Sequence, residues 1–325
     1  MKLVIVGAGA TGGFLGARLA RAGEDVTLVA RGPHLAAMRA NGLRVISPDG
    51  DFVAYPTCTD DLAVVGEADA VFLTVKAHGL PELAPRLGPL LGPETAVVTA
   101  QNGIPWWYFE RQEGPLEGTH LETVDPGGVI AASIESRRVL GCVVYPATRL
   151  PEPGVVEHVE GTRFTVAELD DSRTVRCDAI VAALGRAGLK SPARTRIRHE
   201  IWLKLLGNVA FNPISALTRA TLVGIATLPE ARAVAQAVME EADSVARAVG
   251  IHLEISVEQR LAGAEKVGAH KTSMLQDVET GRPLEIEALV GAVVELAGLL
   301  DLPVPHTRTL YACAKLLDRT LRRAG

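Results

Sequence analysis

Lys2-Leu3-Val4-Ile5-Val6-Gly7-Ala8-Gly9-Ala10-Thr11-Gly12 is a run of strand-forming residues that passes at once into a glycine-spaced turn, and a helical pattern over 11–22 follows. A pyrophosphate needs this order. One glycine makes the tight turn, a second lets backbone approach the phosphates, and a third packs helix against strand. The helix N-terminus then offers free N–H groups and the positive end of its dipole. Glycine-rich turns are common, but the strand–turn–helix context predicts a dinucleotide site built from Gly7, Ala8, Gly9, Ala10, Thr11 and Gly12.

The next strand selects the cofactor. Val26-Thr27-Leu28-Val29-Ala30 leads out to Arg31. An NAD site usually has a carboxylate there for the ribose 2′-hydroxyl, whereas an arginine offers a planar cationic fork to a 2′-phosphate. Glu24 and Asp25 lie at the wrong end of the strand to take that role. A solvated surface charge is the plainer reading of Arg31, but its position favours NADP(H) over NAD(H).

Strand and helix patterns alternate through the first half. Residues 43–46 and 52–55 flank Pro48-Asp49-Gly50 as a small hairpin, and 70–75 and 95–100 read as buried strands ending at Lys76 and at Gln101-Asn102-Gly103. This alternation predicts a parallel, doubly wound α/β sheet of Rossmann type, with its ligand at the strands' C-terminal ends. Gly7, Arg31, Lys76 and Asn102 each follow such an end. Strands at 142–145, 155–159 and 164–168 are expected to extend or close the same sheet, with a turn at 151–154. A helix over 175–187 and an extended piece over 189–193 complete a first domain, residues 1–193. Residues 194–325 read as an all-α domain. Thr227-Leu228-Pro229-Glu230 resembles a capping box opening a helix to Val249, Pro283 can begin another helix, and 305–321 form the last.

The composition of the 325 residues is that of an ordinary globular protein, with 48% hydrophobic and 22% charged residues. Lys+Arg 33 against Asp+Glu 38 gives a net charge of −5, so no nucleic-acid partner is expected. Cys58, Cys142, Cys177 and Cys313 form no CxxC pair, which argues against a metal or a disulfide framework and for a reducing compartment. The strand starting at Lys2 leaves no room for a signal peptide, and the apolar run at 288–300 is short and broken by Glu295. A cytoplasmic protein with no membrane partner is expected.

The helical half carries a second informative stretch, Trp202-Leu203-Lys204-Leu205-Leu206-Gly207-Asn208-Val209-Ala210-Phe211-Asn212-Pro213. Lys204, Asn208 and Asn212 recur every four residues and so share one helical face. Two amides and a single lysine in an apolar segment suit the lining of a wet cleft, although either amide could equally be satisfied by backbone within a core. Further on, Glu285 flanks an apolar stripe through Leu289 and Ala292, where a capping or surface role is the simpler assignment.

Taken together, GAGATG, Arg31, Lys76, Gln101-Asn102-Gly103, the Trp-x-Lys-x3-Asn-x3-Asn-Pro row and Ser273-Met274-Leu275-Gln276-Asp277 leading to Glu285 resemble the ketopantoate reductases over nearly the whole chain. The resemblance implies an NADP-binding Rossmann domain followed by a helical domain, with a small 2-oxo acid bound in the cleft between them. It implies Lys204 as catalytic acid with Glu285 as its partner, and Asn208, Asn212 and Ser273 around the substrate. It also implies Asn102 near the nicotinamide, and Arg31 and Lys76 at the adenosine phosphate. A lysine ammonium can polarise the oxygen being reduced and deliver its proton; burial lowers its pKa and a nearby carboxylate raises it.

Two departures stand out. His270 occupies a position where family members often have asparagine, and Asn102 is followed by Ile104-Pro105-Trp106-Trp107-Tyr108-Phe109 and an insert to about residue 128. The aromatic cluster reads equally as a lid shaping the pocket or as a hydrophobic plug or subunit contact, and a homodimer is compatible with it. The expected activity is NADPH-dependent reduction of 2-dehydropantoate to (R)-pantoate. The alternatives are a relative acting on a bulkier 2-oxo acid and a non-catalytic NADP-binding sensor.

Overall fold

The computed structural model describes residues 1–192 and 196–324. The expected domain boundary between 193 and 194 lies outside the described residues. The chain divides into two compact units: Met1–Gln101 with Phe109–Thr119 and Gly127–Ile197, and Asn102–Tyr108 with His120–Pro126 and Arg198–Gly325.

In chain order the first unit contains β1 (Lys2–Val6), α1 (Ala10–Arg21), β2 (Asp25–Val29), α2 (Gly32–Asn41), β3 (Leu43–Ile46), β4 (Phe52–Ala54), β5 (Thr57–Thr59), β6 (Ala70–Leu73), α3 (Leu80–Leu83), β7 (Ala96–Thr99), α4 (Val129–Ser133), β8 (Val139–Val144), β9 (Ala147–Glu152), β10 (Val155–Glu160), β11 (Phe164–Glu168) and α5 (Val175–Arg186). Its main sheet has seven strands in the order β11-β8-β7-β6-β1-β2-β5. All pairings are parallel except β11 with β8. β6 and β8 are buried along their whole length, as expected for strands covered on both faces. The chain runs from β1 to β2 on one side and later returns to β6 on the other. That reversal beside β1 opens the crevice in which doubly wound sheets bind ligands.

The expectation that all the later strands join this sheet needs correction. β8 and β11 do, but β10 pairs parallel with β3 in a separate sheet of four strands, β4-β3-β10-β9. The reason lies in the side chains. β10 has Val155, Val156 and His158 inward but Glu157, Val159 and Glu160 outward, so it suits a sheet with one wet face. The smaller sheet covers α1, where Phe14 stacks on His158 with ring centroids 4.3 Å apart. The predicted hairpin is present as β3 and β4. The edge strand Thr57-Cys58-Thr59 was not anticipated, because three short residues show no periodicity.

The second unit contains α6 (Ile197–Thr218, whose first residue is counted with the first unit), α7 (Leu222–Thr227), α8 (Pro229–Ala248), α9 (Val257–Val267), α10 (Ser273–Glu279), α11 (Ala292–Leu299) and α12 (Pro305–Ala324). The predicted capping box is absent. Thr227 closes α7 by donating its hydroxyl to the Val223 carbonyl at 2.7 Å, and α8 starts on Pro229 without a side-chain cap. A reciprocal box instead opens α9, between Ser256 and Gln259. Pro283 does not begin a helix either. Glu287–Gly291 form a π turn, with the Ala292 N–H reaching back to the Glu287 carbonyl, and α11 continues from it. No helix among the described residues is long and apolar enough to cross a membrane.

Candidate active site

The glycine turn of the first unit is held from beneath. The Thr74 hydroxyl, just beyond β6, donates to the carbonyls of Gly7 at 2.9 Å and Val6 at 3.2 Å. A Cβ on Gly7 would lie 2.6 Å from Val75 Cγ1, and one on Gly12 would lie 2.3 Å from Thr74 Oγ1. Both glycines are required by close approach. Gly9 is different: a Cβ there would meet only the Gly7 carbonyl, at 4.0 Å. Gly9 is also the N-cap of α1 and brings no side chain to the free N–H groups of that helix. Backbone donors open at a helix start are what a pyrophosphate requires, so these residues fit a dinucleotide.

Arg31 stands exposed at the N-cap of α2, just past the end of β2. Lys76 is half-buried past β6, where it caps a short turn over Ala77–Gly79. Gln101, past β7, donates its amide to the carbonyls of Leu73 at 2.7 Å and Val75 at 3.1 Å, tying the exits of two strands together. Thr74 and Gln101 were not singled out as site residues. A threonine closing the apolar run 70–75 was the available signal for the first.

In the second unit, three segments distant in sequence meet. The Lys204 ammonium on α6 donates to Asn102 Oδ1 at 2.6 Å, and Asn102 Nδ2 donates to Glu285 Oε2 at 3.4 Å. A carboxylate accepts only and an ammonium donates only, so the two neighbours dictate which way the amide faces. Asn102 is itself held by the next two residues. The Ile104 N–H donates to the Ala288 carbonyl in the π turn at 2.9 Å, and Gly103 has φ +88° with its missing Cβ 2.2 Å from the same oxygen. Only glycine can pass this close in this conformation.

The rest of the predicted row is divided. Asn208 is half-buried like Lys204, but Asn212 is 4% exposed. Residues four apart drift by about 40° per step around a helix, so the row begins on the open face and ends inside. Ser273 is exposed at the start of α10, where Thr272 serves as the cap by accepting the Leu275 N–H. His270 is half-buried, and its carbonyl accepts the Leu222 N–H at the start of α7.

The aromatic stretch is core. Trp107 is 1% and Tyr108 0% exposed. The Trp202 indole on α6 donates to the Tyr108 hydroxyl at 2.7 Å, and Arg198 Nε donates to the Tyr108 carbonyl at 2.7 Å. Complete burial pushes the Tyr108 phenol pKa up, opposed by its bond to Trp202 and by Arg198. The same segment that carries Asn102 is thus anchored to the helix that carries Lys204.

Comparison with known proteins is specific. Residues 3–171 match the family model for ketopantoate reductase PanE/ApbA, and residues 196–318 match the model for its C-terminal domain. A 2-dehydropantoate 2-reductase from Mesorhizobium japonicum is 48% identical over 98% of both chains. One from Halobacterium salinarum is 31% identical over 98% of this chain and 99% of its own. The crystal structure of a candidate ketopantoate reductase from Ralstonia solanacearum MolK2 superposes with a TM-score of 0.93 at 42% identity, covering 98% of each chain.

Proposed function

The chain belongs to the ketopantoate reductase family, and from that premise we propose that it reduces 2-dehydropantoate to (R)-pantoate with NADPH. The observation that carries this reading is the Lys204–Asn102–Glu285 chain of hydrogen bonds, which sets a positioned ammonium beside two polar partners.

The residues fit these roles. Gly7, Ala8 and Gly9 shape the turn, their N–H groups being spent on the Val29 and Gly7 carbonyls, while Ala10, Thr11 and Gly12 present the open backbone donors of the start of α1 to the cofactor's pyrophosphate, and Arg31 with Lys76 takes the adenosine phosphate. When bound, the reduced nicotinamide supplies hydride to the 2-oxo carbon. Lys204 hydrogen-bonds the carbonyl oxygen and gives it a proton as the alkoxide forms, which stabilises the charge where it develops. Asn102 fixes the direction of the ammonium, and Glu285 fixes Asn102. Asn208 and Ser273 offer neutral hydrogen bonds to the substrate's polar groups without adding charge that would compete with Lys204. Asn212 offers a third amide from the buried end of the row.

The decisive assay follows NADPH oxidation with 2-dehydropantoate in place of other 2-oxo acids. Turnover preferring this substrate, and NADPH over NADH, is expected. No turnover at millimolar concentrations would overturn the assignment. The alternative of a bulkier 2-oxo acid rests on Trp106 and Trp107, which are 7% and 1% exposed, and a panel of 2-oxo acids in the same assay separates the two readings.

A further inference from the structure

The π turn over Glu287–Gly291 adds one residue to its helical ladder, and its Ala288 carbonyl seats the Ile104 N–H. Such turns are rare and gather at functional sites, so what holds this one matters. Glu287, its first residue, directs its carboxylate to α12. The Tyr311 hydroxyl donates to Glu287 Oε2. The Lys315 ammonium donates to Tyr311 Oη at 2.8 Å and pairs with Glu287 Oε1 at 2.9 Å. Tyr311 and Lys315 are four residues apart and so share one face of α12. The three heads close a loop in which each touches the other two. Gly291, the last residue of the turn, makes room for it. A Cβ there would lie 2.7 Å from Glu287 Oε2, 3.1 Å from Tyr311 Cε2 and 2.6 Å from Thr123 Cγ2. Burial and the Glu287 carboxylate push the Tyr311 phenol pKa up, and the bonds to Tyr311 and Glu287 push the Lys315 ammonium up, so donor and cation persist at neutral pH.

This latch grips the segment that holds Asn102 at two points. Glu285, two residues before the turn, accepts from the Asn102 amide at 3.4 Å, and Ala288, inside the turn, accepts from the Ile104 N–H at 2.9 Å. Both acceptors must keep their spacing for Asn102 Oδ1 to stay 2.6 Å from the Lys204 ammonium. Relaxation of the turn to α geometry would withdraw one residue from the ladder. The segment before it would then rotate by about 100° and shift by about 1.5 Å relative to α11. Glu285 lies in that segment. Glu287 spends its carboxylate on α12, so its influence reaches Lys204 through the turn. We propose that Glu287, Tyr311 and Lys315 are positioning residues of the reductase: they lock the π turn that keeps Asn102, and with it the Lys204 ammonium, aimed at the carbonyl being reduced. This role rests on the reductase reading above.

The test pairs Glu287→Ala with Tyr311→Phe, which keeps the ring and loses only the hydroxyl. Each variant is followed by kinetics with 2-dehydropantoate and NADPH and by hydrogen exchange at the Ile104 amide. Loss of one hydrogen bond from the latch should quicken Ile104 exchange by about 10-fold, as the turn opens more often. The same loss should lower kcat by about 10-fold. KM for 2-dehydropantoate and the NADPH dissociation constant should stay close to wild type, since the contact at fault is made in the transition state. In a Lys204→Ala background the two substitutions should leave the residual kcat unchanged, because the group they position is absent. Unaltered kcat or unaltered Ile104 exchange in the folded Tyr311→Phe protein overturns the proposal. So does an equal fractional loss of kcat with and without Lys204, which would mark general loosening. Absence of wild-type turnover would remove the reductase reading, and the positioning role with it, whatever the Ile104 amide does.

Discussion

The two units assemble their chemistry in opposite ways. In the first, the proposed cofactor turn is six consecutive residues, 7–12, and the chain's local conformation nearly makes it by itself. Thr74 and Val75 only support it from the neighbouring strand exit. In the second, Lys204, Asn102 and Glu285 come from segments separated by 102 and 183 residues, and none has a functional geometry until the others are packed. A contiguous motif is secured by backbone and fails locally. A composite one is secured by tertiary docking, so residues that touch no ligand can disable it.

The largest expected effect tests the composite site at its centre. Lys204→Ala should lower kcat by about 10²- to 10⁴-fold, the range for a positioned general acid, while NADPH binding measured by fluorescence titration stays close to wild type. Equal losses in both would place Lys204 in cofactor binding and erase the contrast between the units. Next comes Gly103→Ala. Its methyl would meet backbone rather than a flexible side-chain tip, and φ +88° adds its own strain. Together these cost about 2–4 kcal/mol, felt as a lower melting temperature and a kcat loss from displaced Asn102. Unchanged kcat in a folded variant would show that the docking at Ala288 does not position the amide.

The same contrast explains what could be read from sequence. GAGATG announced itself because strand, turn and helix start are adjacent, and the polar row on α6 followed from helical spacing alone. The bond from Asn102 to Lys204 could not be read this way, since neither residue's neighbourhood mentions the other. The π turn was invisible too, because Ile286, Leu289 and Val293 fit an α-helical stripe equally well. The aromatic stretch stayed open between lid and plug until Trp202 and Arg198 supplied its partners. The outward Glu157, Val159 and Glu160 of β10 suit the smaller sheet with its wet face, but the pattern does not name β3 as the partner strand.

Arg31→Asp probes the local site. Replacing the arginine at the end of β2 by a carboxylate should shift preference from NADPH toward NADH by about 1.5–3 kcal/mol, the value of one charge-assisted hydrogen bond, read as the ratio of kcat/KM for the two cofactors. A constant ratio would assign the 2′-phosphate to another residue. Because the site is local, thermal stability should hardly move.

The smallest effect tests whether the buried anchor beneath Asn102 is structural. Tyr108→Phe removes the oxygen that accepts the Trp202 N–H and leaves a buried donor without its partner, which should cost about 1–3 kcal/mol of stability. It should change kcat only through that loosening. The pH dependence reports how far the phenol is sealed from water, an effect of burial that the Trp202 bond opposes. An unfolded tyrosine ionises near pH 10, whereas burial keeps the native phenol protonated above that, so the native state binds more protons in alkali. The sign follows: the Tyr108 contribution is complete below about pH 10 and declines as pH rises further, by about 1.4 kcal/mol per pH unit. Urea unfolding across this range should show the extra slope in wild type and not in Tyr108→Phe. Matching slopes would mean that the native phenol ionises as readily as the unfolded one, and the anchor would then be open to water rather than sealed between α6 and the Asn102 segment.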